Sequence, residues 1–162
     1  MRKLSGLLVV VMLIFTASSS LRGDEKDEAN KKEMKKFEGL WQMVRQESNA
    51  RVNRDANRHT ILFEGSNYTF LRDKTNKVSS ATFVIDSSTD PKSFNLSGAG
   101  GTSRYSLGIY RFVDDDNLEI CLNQPRGANA DKRPTKFTTI PDVGSGSILY
   151  VLKRIKPEKE NK

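Results

Sequence analysis

The chain has one cysteine, one histidine and one tryptophan in 162 residues. A single cysteine excludes an internal disulfide, so stability has to come from the core. A single histidine, His59, excludes a multi-histidine zinc centre or a Cys/His cluster. A Ser-His-Asp arrangement would have to use His59, and no serine stands in the Gly-x-Ser-x-Gly setting of a nucleophile elbow. The glycine-rich stretch Gly98–Ser103 lacks the Gly-Lys-Ser/Thr ending of a phosphate loop. Asp114–Asn117 lacks the glycine and distal glutamate of an EF-hand loop and reads as a turn. Catalytic residues, metal and cofactor are all absent from this reading, which is that of a non-enzyme.

Long apolar runs are also lacking. The longest, Leu7–Phe15, falls well short of the ~20 residues needed to span a bilayer. It follows Arg2-Lys3 and precedes the small residues Thr16-Ala17-Ser18-Ser19-Ser20, the layout of a secretory signal over residues 1–20. The expectation is an extracytoplasmic protein, periplasmic or secreted, with no integral membrane segment after cleavage.

The net charge of +7 suggests nucleic acid until its distribution is considered. Residues 38–152 carry fourteen basic and thirteen acidic side chains, so the body is nearly neutral and the excess sits at the ends. A nucleic-acid binder would show a basic patch on the domain itself. Nucleic acid is therefore set aside as a partner, and a monomer is expected. Arg51, Arg54 and Arg58 share one polar loop, which reads as a solvated segment ahead of an anion-binding rim.

Residues 21–37 form a charged leader with acids early and lysines late, which suits a helix dipole. A short helix is expected near its end, docking through Met34 and Phe37. From Leu40 onward the pattern changes to short strands and turns. Strands are expected at 40–47, 59–64, 68–72, 78–86, 93–97, 104–113, 118–122, 135–139 and 147–154, with 48–58 as a long loop. Gly65-Ser66-Asn67 suits a hairpin because Gly and Asn tolerate positive φ. Gly108 interrupts its strand where a bend or close packing is needed. Ile148–Leu152 is apolar on both faces, so both faces should be covered.

No helical pattern separates the strands, which argues against α/β folds. The fold class is all-β: a closed antiparallel up-and-down barrel of eight to nine strands, preceded by a short N-terminal helix. Closure removes exposed edges in a chain with few Lys or Pro gatekeepers inside its strands. The barrel domain spans 38–154, and a charged tail occupies 155–162.

Gly39-Leu40-Trp41, Phe63-Glu64-Gly65, Leu107-Gly108-Ile109-Tyr110, Leu118-Glu119-Ile120-Cys121-Leu122, Arg133-Pro134-Thr135-Lys136-Phe137 and Leu149–Arg154 occur in register. Together they resemble a secreted, lipocalin-like domain family of unknown function expanded in Planctomycetes. The resemblance implies an exported barrel and no established activity. By comparison with lipocalins, Gly39 and Trp41 open the first strand at a closed end, and Arg154 covers the Trp41 ring.

Two functions follow. The first is binding of a small apolar molecule within the barrel, lined by Ile61, Phe63, Phe70, Phe83, Ile85 and Tyr110, with its mouth near loop 48–58. The alternative is a packed barrel acting as an interaction or inhibitor module at the cell surface. Cys121 reads as a small buried hydrophobe on a strand. Non-reducing gel electrophoresis should therefore show only monomer, and a covalent dimer would place its thiol at the surface.

Overall fold

The computed structural model describes residues 18–98, 105–123, 131–140 and 146–156. Most of the expected signal segment, the glycine-rich connection after Gly98 and the end of the tail lie outside them. The chain opens with helix α1 (Ser18–Lys35), followed by β1 (Gly39–Ser48), β2 (Arg51–Val52) and β3 (His59–Glu64). Then come β4 (Asn67–Arg72), β5 (Asn76–Asp86), β6 (Ser93–Ser97), β7 (Tyr105–Asp114), β8 (Asn117–Asn123) and β9 (Ser147–Arg154). Every strand pairing is antiparallel. The order β1-β3-β4-β5-β6-β7-β8-β9 closes on itself through β1–β9, a ring of eight strands, and β2 adds only a two-residue ladder to β1. The closed up-and-down barrel is thus the observed fold.

Tight turns set the register. Gly65 takes φ 56° between β3 and β4, and Asp73 and Lys74 both take positive φ between β4 and β5. A bulge between Met43 and Arg45 lets β1 leave β3 and continue along β9. A single turn of 3-10 helix, Ala56–Arg58, follows in the segment expected to be plain loop, and Ala56 packs into the core.

Two elements differ from expectation. Helix α1 covers 18 residues, longer than the short helix expected. Its polar sequence is held to the barrel by side chains rather than by an apolar stripe: Lys26 to Asp86 at 2.8 Å, Asn30 to Ser87, and Glu33 to Lys92. Residues 135–139 are not a strand. A closed ring has no free edge for a ninth full strand, and Pro134 and Pro141 bound the segment. Residues 131–140 instead cross the outer wall as a strap. Phe137 lies under the Arg111 guanidinium at 4.4 Å, Arg133 donates to the Gly108 carbonyl, and Thr139 donates to buried Glu47 at 2.6 Å. This strap and Leu149 bury Ile109 and Cys121 on the outside of the sheet. The apolar outer face of β9 is thereby covered, and burial raises the Cys121 thiol to about 11.

The main core lies inside the ring, and its organiser is Phe37. This residue, between α1 and β1, is fully buried. Its ring centroid lies 5.0–5.9 Å from those of Phe63, Phe83, Phe94, Tyr110 and Phe112. Edge-to-face and tilted contacts of this kind add to what burial alone supplies. Gly108 allows the opposite wall to close: a Cβ there would meet Leu122 Cδ2 at 2.4 Å and the Cys121 carbonyl at 2.6 Å. Phe37→Ala should lower stability by about 3–5 kcal/mol through the cavity it leaves, and Gly108→Ala by about 1–3 kcal/mol through overpacking. Denaturant unfolding of both variants checks this, and a Phe37→Ala variant as stable as the parent would remove Phe37 from its central role.

Candidate functional site

The two ends of the barrel differ, and the difference defines the candidate site. At one end, Trp41 is fully buried and its indole N–H donates to the Phe37 carbonyl at 2.7 Å. Arg154, its register partner on β9, sets its guanidinium 4.1 Å from the indole centroid. That guanidinium also donates to the carbonyls of Glu38 (2.7 Å), Lys36 (2.6 Å) and Asp115 (3.2 Å). Gly39 takes φ 105°, a conformation that only glycine adopts without strain, and so lets the chain turn from Phe37 into β1. Gly39, Trp41 and Arg154 are therefore brought together at one end, as the comparison with lipocalins implied.

Helix α1 lies over the same end. Glu33, 7% exposed, sits between Lys92 and Lys36. Burial raises its pKa, but the hydrogen bonds from the two lysines outweigh this and hold it below the usual carboxylate range. Beneath it the Tyr110 hydroxyl is buried without a hydrogen-bond partner, and burial together with the Glu33 charge raises its pKa. A groove of about 670 Å³ separates α1 from β5, between Met34 and Lys35 on one side and Phe83, Val84 and Ile85 on the other. The helix thus covers this end without sealing tightly against the wall.

The residues expected to line a cavity all belong to the interior core or pack against it. Phe63, Phe83 and Tyr110 are engaged in ring contacts with Phe37, and Ile85 is buried under the α1 flank. Ile61 is also fully buried. Among the six, Phe70 alone is partly exposed. Register shows what else faces inward beside it. Tyr68 and Ala81 oppose each other, Leu96 opposes Phe83, and Tyr150 opposes Ile120. Residues directly opposite in an antiparallel pair share a face, so Ala81, Leu96 and Tyr150 point into the barrel with Phe70. All four pack on the core yet keep partial exposure. Along the ladders Phe70 stands level with Ile61 and Trp41, Ala81 stands level with Tyr68, Phe63 and Gly39, and Tyr150 stands level with Gln46 on β1.

Polar groups lie among these side chains. His59 lies at the entry to β3, its ring 5.0 Å from Phe70 and inclined by 30°, with Nδ1 buried and unpartnered. Burial raises the Tyr68 hydroxyl well above the ordinary phenol range, and Tyr150 adds to that; burial likewise lifts Tyr150 to about 12. Compared with family models, curated proteins and solved structures, the chain matches none. Among the described residues no group of three or more His, Cys, Asp or Glu is placed to hold a metal ion, and no helix is long and apolar enough to cross a membrane.

Sequence reasoning missed Tyr68, Ala81, Leu96 and Tyr150. Alternation on β4 pairs Tyr68 with Phe70 and would have found the first. On β9 both faces are apolar, so alternation gives no face for Tyr150. At the closed end, Arg154→Ala removes a cation–π contact of about 0.5–2 kcal/mol and charged hydrogen bonds of about 1.5–3 kcal/mol each in favourable cases. A stability loss of about 2–4 kcal/mol with a changed Trp41 emission spectrum is expected, the charge being partly solvated. Thermal melting and fluorescence check it, and an unchanged spectrum would separate Arg154 from the indole.

Proposed function

We propose that the protein is an exported, monomeric lipocalin-like barrel, of the family it resembles, that binds one small and mainly apolar molecule. The binding place is the part of the barrel interior where Phe70, Ala81, Leu96 and Tyr150 keep partial exposure, and the role is carriage or sensing rather than catalysis. The observation that carries this reading is the partial exposure of inward-facing Phe70, Ala81, Leu96 and Tyr150. Apolar side chains left accessible inside a concave wall gain by covering themselves with a ligand. An eight-stranded barrel has room for side chains or one small ligand, and here four inward-facing side chains keep partial exposure beside the rings packed on Phe37.

The ring cluster around Phe37 favours a second reading, a packed barrel that acts through its outer surface on another protein. The two readings part on whether a small molecule accompanies the native protein. Native mass spectrometry of protein purified from its own source should show an added small mass. Ala81→Phe, which adds bulk among these partly exposed side chains, should remove that mass while shifting the melting temperature by only a few degrees. A clean unliganded mass across independent preparations would favour the surface module.

A further inference from the structure

We propose that a groove on the outer wall of the barrel binds a free α-amino acid with an apolar side chain, its carboxylate held by Arg133 and its ammonium by Asn95. The groove measures about 620 Å³ and lies between β5, β6, the loop that joins them, and the strap at residues 133–135. Strand register brings these walls together. Val84 opposes Asn95 and Asn95 opposes Leu107, so the three share one face. Their neighbours Phe83 and Phe94 belong to the interior core, so that face is the outer one. Gly108, next to Leu107, opposes Phe94, next to Asn95, and Arg133 donates to the Gly108 carbonyl. The strap therefore sets its guanidinium over the residue pair beside Asn95. The place lies outside the ring, apart from the interior proposed above.

Two groups in this groove lack the partners that buried polar groups normally have. Asn95 Oδ1 is buried with no hydrogen-bond partner, and its carboxamide makes no other bond among the described residues. Arg133 makes no ion pair among them, and its hydrogen bond goes to a neutral carbonyl. Burial lowers its pKa, and the charge of Asp86 offsets this only in part. Asp86 is itself engaged, by Lys26 at 2.8 Å and by Ser88. A partly desolvated guanidinium without a carboxylate is relieved by an anion, and the carboxylate group matches its fork of donors. A bare anion would set a second acceptor against Asn95 Oδ1, so the ligand also has to bring an N–H donor. Asp90, exposed on the same rim and without a partner among the described residues, favours a cationic donor. With Lys26, Asp86, Asp90 and Arg133 the groove carries two charges of each sign, which suits a zwitterion. Val84, Pro91 and Pro134 leave apolar surface for its side chain.

The test titrates the mature, ¹⁵N-labelled chain with leucine, 4-methylpentanoate and 3-methylbutylamine, which share one branched frame and differ only in the charges they carry. Leucine should move the amide signals of Asn95, Arg133 and Thr135, and bind about 10-fold or more tightly than either analogue, each of which gives up one charge-assisted hydrogen bond. Equal binding of the acid or of the amine overturns the assignment, and silence of those signals at millimolar leucine overturns the site. Arg133→Gln should weaken leucine about 10-fold or more and leave 3-methylbutylamine unchanged. Asn95→Leu should weaken leucine and leave 4-methylpentanoate unchanged, without lowering the melting temperature, because it removes an unsatisfied buried acceptor. A variant that weakens all three ligands alike counts against the role given to its residue. Should either variant not fold, the three ligands on the parent protein decide alone. An unliganded native mass would remove the interior reading and leave this titration unchanged.

Discussion

Arg154 ties the end of the last strand to the start of the first, and the rest of the interior depends on that tie. Its guanidinium lies over the Trp41 ring and at the same time donates to the carbonyls of Lys36 and Glu38. Those carbonyls flank Phe37, whose own carbonyl receives the indole N–H. The backbone on both sides of Phe37 is thus fixed by charged or buried donors before its ring makes any contact. A planar guanidinium is suited to this because it can stack and donate in several directions at once. The ring is therefore directed inward, where five other aromatic rings meet it. With α1 above, held by Glu33 between Lys36 and Lys92, the closed end is assembled from residues outside the strands as much as from those within them.

Much of the fold was legible because strands and turns follow local chemistry. Gly65 at positive φ, the alternation of Ala81, Phe83 and Ile85, and the tight turn at Asp114–Asn117 all appear where the residues placed them. The strap was not legible. Thr135–Thr139 has good strand residues, but strand propensity states only that a segment fits a half-buried surface. Phe137 and Thr139 do lie on such a surface, the outer wall of the barrel, without joining a ladder. The length of α1 was missed for a related reason: its few apolar positions gave no periodicity, and ion pairs to β5 and the β5–β6 loop hold it instead.

The site was only half legible. Alternation correctly placed Ile61, Phe63, Phe70, Phe83, Ile85 and Tyr110 in the interior core. It could not say at which height along the barrel each side chain sits, because height depends on strand tilt and register around the whole ring. That is why alternation could not tell that five of the six are fully enclosed by the core while Phe70 keeps partial exposure. Phe37 is the clearest case, since a residue before the first strand decides how much of the interior is left.

The rings around Phe37 and the partly exposed interior side chains are physically linked. Ring-packed interiors pack at the density of organic solids, so the cluster around Phe37 stiffens the barrel wall. Tyr68 is held edge-on to Phe63 at 5.6 Å, and the Phe70 ring lies near His59. On the binding reading proposed above, a place already in its binding shape loses little order when a ligand arrives, so a small number of contacts can give useful affinity. An interior empty throughout would have exposed far more apolar wall for the same chain length and left less core in a chain whose single cysteine cannot form an internal disulfide.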